Sequence, residues 1–324
     1  MLSVIRRELG MSVEVVTLSD PSSGGEVKIA VGYGFNCFQF RLEHDGRPFD
    51  VIWSEPEFEA GDKRASGSGI PLLFPYPGRC RGKRLSWRGR EYHLEGDDGL
   101  GNAIHGFLLT RPWRVIEQES QRVVGQFQAS RDEPRLLDCW PADFCVTATY
   151  QLAGHTLRSS FVVENPDDKP LPCGLGTHPY FALPLGGSDP ESCRVQVPAT
   201  RRWELVDMMP TGQLLALEQA EALHNGLVFR EMTFDDVLSS LEFHDGWCRA
   251  RIFDPQSGRN LVLEFDQNFR ECVVYTPPHR QAVCIEPYTC VPNPVELEAA
   301  GVSSGLRVLE PGESFRAEVV MRVE

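Results

Sequence analysis

Two histidines and one carboxylate stand in marked local settings. His105 lies in Asn102-Ala103-Ile104-His105-Gly106-Phe107, His178 in Gly176-Thr177-His178-Pro179-Tyr180-Phe181, and Glu286 in Ile285-Glu286-Pro287-Tyr288-Thr289. Imidazole and carboxylate are the side chains that exchange protons near neutral pH. No Gly-x-Gly-x-x-Gly opens a helix and no phosphate-cradling Gly-Lys-Ser/Thr loop occurs. No Cys-x-x-Cys pair is present, and the histidine spacing fits no helix-borne metal pair. The combination points to proton transfer on an uncharged polar substrate, without cofactor or metal.

Each residue also has a plainer reading. His105 sits among Gly99, Gly101 and Gly106, which permit positive φ or close backbone approach, and a lone histidine there can be structural. Pro179 biases His178 toward an extended backbone. Tyr180 and Phe181 can line a sugar-stacking wall or fill the core, and core is the better reading for Phe181. Glu286 follows the apolar run Ala282 to Ile285, so it is expected to emerge at a strand end, partly desolvated, with a raised pKa suited to a base. Asp235 and Asp236 fit a turn or a binding role. The segment from Gly69 to Gly82 is apolar and proline-rich, then basic at Arg79 and Arg81, and can hold hydroxyl groups or a carboxylate. Gly301-Val302-Ser303-Ser304-Gly305 matches a nucleophile-elbow string but lacks a strand before it and a helix after it, so it reads as chance.

The elements that must position these groups are strands. Phe144 to Leu152 alternate apolar and polar residues, Ala153-Gly154-His155 turn, and Leu157 to Val163 return as a hairpin. Arg249 to Phe253 and Leu261 to Phe265 flank Asp254-Pro255-Gln256-Ser257-Gly258 in the same way, and Cys272 to Tyr275 follow. Val27 to Val31, Phe38 to Leu42 and Phe315 to Val323 extend the pattern to both ends. The single helical candidate is short, Gln213 to Ala222. The expected fold is all-β, large antiparallel sheets packed face to face around a groove. Residues 1–24 read as an N-terminal extension and first strand region, and residues 25–324 as one domain.

With 324 residues the chain can bury a full core. A formal charge of −14 argues against nucleic acid and anionic membranes as partners. Ten scattered cysteines read as free core thiols of a cytoplasmic protein. Met1 to Gly10 carry Arg6, Arg7 and Glu8 and fit neither a signal peptide nor a membrane span, and Met11 offers an alternative start. The expected partner is a small uncharged polar molecule, and the expected state a monomer or homodimer.

Four segments in order, spanning roughly residues 25–320, resemble the aldose 1-epimerase (galactose mutarotase) family: Phe74-Pro75 with Arg79, the segment Asn102 to Gly106, the segment Gly176 to Phe181, and Glu286-Pro287-Tyr288-Thr289. The resemblance implies a galactose mutarotase-like β-supersandwich. It implies interconversion of the α and β anomers of a hexose, a small-molecule sugar substrate, with Glu286 as general base and His178 as general acid on opposite sides of the sugar, straddling a shared cleft, and with His105 polarising the sugar near its ring oxygen. It further implies Arg79 and Asp235 as substrate-binding residues, beside Tyr180. The family often carries Asn before the arginine of the first motif, where this chain has Gly78, so a sugar-contacting amide is missing. A related group acts on hexose 6-phosphates, and Arg81, Lys83 or Arg84 are the candidates for that role here. The rival readings are a non-catalytic carbohydrate-binding β-sandwich and a glycoside hydrolase or lyase using Asp235 and Glu286.

Overall fold

The computed structural model of the chain describes residues 12–324. Met1 to Gly10 and the alternative start at Met11 lie outside the described residues. Three antiparallel sheets dominate. A four-stranded sheet runs Val16–Asp20, Gly25–Ala30, Asn36–His44, Arg47–Asp50. A nine-stranded sheet has Cys145–Ala153, Thr156–Glu164, Ser314–Val323, Asn260–Asp266 and Trp247–Phe253 as successive neighbours at its centre. A third sheet orders Met209–Ala216, Ala199–Val206, Asp235–Leu241, Glu271–Tyr275, Ala282–Tyr288, Gly176–Thr177 and Leu72–Leu73, with Tyr180–Ala182 also paired to Ala282–Tyr288.

Both hairpins expected from alternation are present, with Leu152 opposite Leu157 and Arg249 opposite Glu264. Alternation gives each of these strands one buried and one wetter face, and the buried faces of all three sheets meet in one continuous apolar core. All ten cysteines are free thiols and nine are buried, so packing, not a disulfide framework, holds the fold together. Trp140 is central to this packing. Its ring stacks on Tyr76 at 5.6 Å and meets Phe107 edge-on, and its indole N–H donates to the Pro172 carbonyl at 2.9 Å.

Two sequence expectations change. Gln213 to Ala222 is not a helix: Met209–Ala216 is a strand, and the helix is Ala220–Asn225. Leu214 and Leu215 are claimed by ladder pairing with Trp203 and Arg202, and this tertiary pairing overrides their helix propensity. Glu286 does not emerge at a strand end. It lies inside Ala282–Tyr288, a strand buried at every position. Val283 and Ile285 face the main core, while Cys284, Glu286 and Tyr288 face the opposite side, which is itself covered. The nucleophile-elbow string follows the short helix Pro294–Ala299 and precedes the strand Arg307–Leu309, the reverse of what an elbow requires.

Replacing Trp140 by Ala removes the stack and strands the Pro172 carbonyl. Urea unfolding is expected to show a loss of roughly 3–5 kcal/mol; a loss under 1 kcal/mol would contradict the packing role assigned to this ring.

Candidate active site

Strand register builds the site. In Ala282–Tyr288, side chains two apart share a face, so Cys284, Glu286 and Tyr288 point the same way. Val273 is opposite Glu286, and Tyr275 is opposite Cys284. Asp235 is opposite Tyr275 and Val237 opposite Val273. On the other flank Gly176 pairs with Tyr288 and Tyr180 with Cys284, so counting two residues inward from each brings His178 level with Glu286. Two distant motifs thus become a cross-strand pair, with His178 Nδ1 3.4 Å from Glu286 Oε1.

The pair lines a cleft of about 240 Å³, together with Arg64, Arg79, Asp98, His105, Tyr180 and Asp235. Glu286, His178, His105, Arg79, Asp235 and Tyr180, the site residues expected from the sequence, therefore converge. The volume falls below the usual 300–1,000 Å³ of drug-sized pockets, a scale suited to one sugar ring. Asp235 and Asp236 separate as strand alternation requires: Asp235 faces this cleft, while Asp236 faces away and meets Arg202 at 3.5 Å. The lysine and arginines considered for a phosphate do not line the cleft. Arg81 pairs with Glu296, Lys83 with Asp97, and Arg84 with Glu91.

One expectation fails on geometry. Glu286 and His178 do not straddle the cleft, because 3.4 Å leaves no room for a ring between them. Glu286 hangs from its strand and His178 from the break between Gly176–Thr177 and Tyr180–Ala182 beside it, so both lie on one wall and present adjacent functional atoms.

Burial dominates the electrostatics. Glu286 is 1% exposed and His178 7%. Desolvation pushes the Glu286 pKa well above the ordinary carboxylate range; the Tyr288 hydroxyl, which donates to Oε2 at 2.8 Å, opposes this without cancelling it. Burial also lowers His178 to about 3, aided by the positive charge of Arg64. Burial therefore favours the uncharged form of each group. His178 Nδ1 has no hydrogen-bond partner among the described residues, although its ring is clamped by parallel stacking on Tyr180 at 4.7 Å. Tyr180 in turn donates its hydroxyl to the Ser66 carbonyl at 3.0 Å, so its polar tip is already committed.

His105 is fixed by backbone. Its N–H donates to the Gly78 carbonyl at 2.8 Å, and its Nδ1 accepts from the Gly78 N–H at 3.3 Å. This assigns the proton to Nε2 and makes His105 a neutral donor. Burial, then His178 and the two arginines, hold its pKa well below the usual value. Gly78 has φ +67°, and a Cβ there would come within 2.5 Å of Pro292. The absent amide at this position thus follows from Pro292 occupying its space. Gly106, at φ +71°, passes so close to Phe74 that a Cβ would overlap the Phe74 carbonyl oxygen.

Arg79 is held from behind. Its Nε donates to Asp98 Oδ2 at 3.0 Å. Asp98 also accepts from the Asn102 side chain and from the backbone N–H groups of Asn102 and Leu100. Burial alone would raise Asp98, but these donors together bring it down to about 2. Sequence reasoning missed Asp98 and Tyr288. Tyr288 was detectable, two residues from Glu286 on a strand, whereas Asp98 sits in an irregular loop with no periodic signal. His178, Cys284 and Glu286 bring one donor atom each within 4.8 Å of one another, a possible metal-ligand set. Metal ligands must be deprotonated, and burial raises the pKa of both the Cys284 thiol and the Glu286 carboxyl, so the set fits poorly.

The sequence profile of the aldose 1-epimerase family matches residues 14–322, so the chain belongs to that family. It is similar to the Escherichia coli (strain K12) protein YphB, with 26% identity over 297 residues covering 87% of this chain and 94% of that one. Among solved structures, a galactose mutarotase-like protein from Clostridium acetobutylicum superposes with a TM-score of 0.83 at 22% identity, covering 97% of this chain and 99% of that one. A GalM/aldose epimerase homologue from C. elegans gives a TM-score of 0.78 at 18% identity, over 96% and 98% of the two chains. These likenesses identify the galactose mutarotase-like fold.

Asp98→Asn is expected to lower stability at neutral pH, because an amide cannot accept all of these donors. The folded Asp98 carboxyl stays ionised down to about 2, while in the unfolded chain it takes up its proton near 4. Its contribution is therefore present above about 4 and fades as pH falls toward 2. Urea unfolding of both proteins across this range should show the gap narrowing with acid; a gap independent of pH would contradict the assignment.

Proposed function

We propose that the protein is an aldose 1-epimerase that interconverts the α and β anomers of a hexose. The observation that carries this reading is the buried Glu286–His178 pair, adjacent on one cleft wall with a neutral His105 donor beside it. Opening a pyranose removes the proton of the C1 hydroxyl and breaks the bond from C1 to the ring oxygen, which takes up a proton. The two oxygens share the C1 carbon, so groups lying side by side suit the task better than groups on opposite sides.

In this reading Glu286 starts protonated and His178 neutral, the forms that burial favours. Transfer of the Glu286 proton to His178, over the 3.4 Å between them, leaves a carboxylate base and an imidazolium acid. Glu286 accepts the C1 hydroxyl proton, the electron pair of the breaking bond passes to the ring oxygen, and His178 protonates it. The His105 Nε2–H stabilises charge on that oxygen. Arg79 and Asp235 hold hydroxyl groups. Rotation about C1–C2 presents the other carbonyl face, and reclosure reverses each step. A non-catalytic sugar-binding sandwich gains nothing from desolvating a carboxyl against an imidazole, so the enzyme reading is favoured.

Glu286→Gln tests this, since the amide mimics the neutral acid in shape but cannot take a proton. Polarimetry or NMR on freshly dissolved α-glucose or α-galactose should show anomer exchange reduced by about 10²–10⁴-fold, with the thermal midpoint unchanged. Near-wild-type exchange would remove Glu286 as the base. The pH profile of kcat/KM for the unmodified protein should be flat around neutrality and fall in acid, as His178 gains a second proton toward about 3. A decline centred near the ordinary imidazole value of about 6.5 would contradict a buried neutral His178.

A further inference from the structure

Two cationic side chains line the cleft among the described residues, Arg64 and Arg79. Their situations differ. Arg79 is neutralised by Asp98. Arg64 is exposed at the cleft mouth, donates from Nε to Ser66 Oγ at 3.0 Å, and has no carboxylate partner among the described residues. Nearby cations outside the cleft, Arg81, Lys83, Arg84 and Arg111, each meet a carboxylate. A free guanidinium opening onto a cleft is therefore a local exception.

The turn that carries Arg64 is built firmly. Buried Asn36 donates to the carbonyls of Ser68 at 2.9 Å and Ala65 at 3.4 Å, and accepts from the Ile70 N–H at 2.8 Å. The Tyr180 hydroxyl ties the Ser66 carbonyl to the same wall as His178. Arg64 lies on the histidine side of the cleft, close enough for its charge to disfavour protonation of both His105 and His178.

Sugar geometry then limits what Arg64 can reach. With the C1 hydroxyl at Glu286 and the ring oxygen at the histidines, the next ring atom is C5, which bears C6. We propose that Arg64 is a specificity-determining residue that selects hexoses whose C6 is a carboxylate, that is, hexuronates. A single planar guanidinium matches a carboxylate through two parallel hydrogen bonds. A dianionic phosphate would keep one charge uncompensated beside Asp98 and Asp235. The sequence pattern alone pointed to an uncharged sugar, because Arg64 sits in a polar loop that carries no motif.

The inference rests on the anomer-exchange reading and can be separated from it. NMR exchange rates are measured for glucose, galactose, glucuronate, galacturonate and glucose 6-phosphate, each against buffer alone, for the unmodified protein, Arg64→Gln, Arg64→Lys and the cleft-remote control Arg84→Gln. A charge-assisted contact predicts kcat/KM about tenfold or more higher for uronates than for the matching neutral hexoses. Arg64→Gln should collapse that ratio mainly through KM, Arg64→Lys should restore part of it, and Arg84→Gln should leave it unchanged. Added salt should weaken the uronate preference. Equal or better turnover of neutral hexoses by the unmodified protein overturns the proposal, as does an equal loss on both sugar classes in Arg64→Gln. Preference for glucose 6-phosphate over glucuronate overturns the carboxylate assignment. Exchange of neutral hexoses without uronate preference sinks this inference alone, whereas no exchange with any sugar removes the enzymatic reading and this inference together.

Discussion

A carboxyl and an imidazole facing each other across a strand pair, with almost no water around either, set the terms for the rest of this cleft. Water would ionise the carboxyl at neutral pH and let the imidazole titrate close to it. Burial does the opposite, lifting the Glu286 pKa and lowering that of His178. Charge separation then arises only when a proton crosses between them, a step that burial opposes and that a hydrogen-bond partner replacing water assists. Tyr288 supplies one such partner at Glu286 Oε2, and Tyr180 fixes the plane of the imidazole.

Holding two such groups at 3.4 Å demands a rigid support, and the sheet provides it. Ala282–Tyr288 is covered on both faces, by the main core on one side and by the cleft walls on the other. The contacts that hold His105 and Arg79 are equally constrained. Gly78 joins His105 through two hydrogen bonds, and the Asp98 cluster fixes Arg79 while its own charge is stabilised by four donors. His105 and Arg79 are thus each held by a fixed neighbour, the arrangement expected of a preorganised site.

Much of this was legible in the sequence because strands announce themselves by period two. The alternation of Phe144 to Leu152 and its return at Leu157 to Val163 predicted a hairpin that is present in register. The family motifs carried His105, His178 and Glu286, and the structure gathers them in one cleft. The depth of Glu286 was not legible, since a run of apolar residues does not say whether the strand stops or continues under a second layer. Nor was the side-by-side placement of the acid and the imidazole, which depends on pairing between segments more than 100 positions apart. The misread helix at Gln213 to Ala222 has the same origin: local propensity yielded to the Trp203–Leu214 pairing. Arg64 and Asp98 were silent for a different reason, because loop residues gain their role from tethers such as Asn36 and Asn102 that no periodicity reveals.

The central claim is that burial of this pair favours a proton on Glu286 and a neutral His178. Infrared difference spectroscopy between the unmodified protein and Glu286→Gln at neutral pH reads this directly, because a protonated carboxyl has a carbonyl stretch distinct from carboxylate bands. The account predicts a protonated-carboxyl band that disappears in the variant. A difference spectrum containing only carboxylate bands would contradict it.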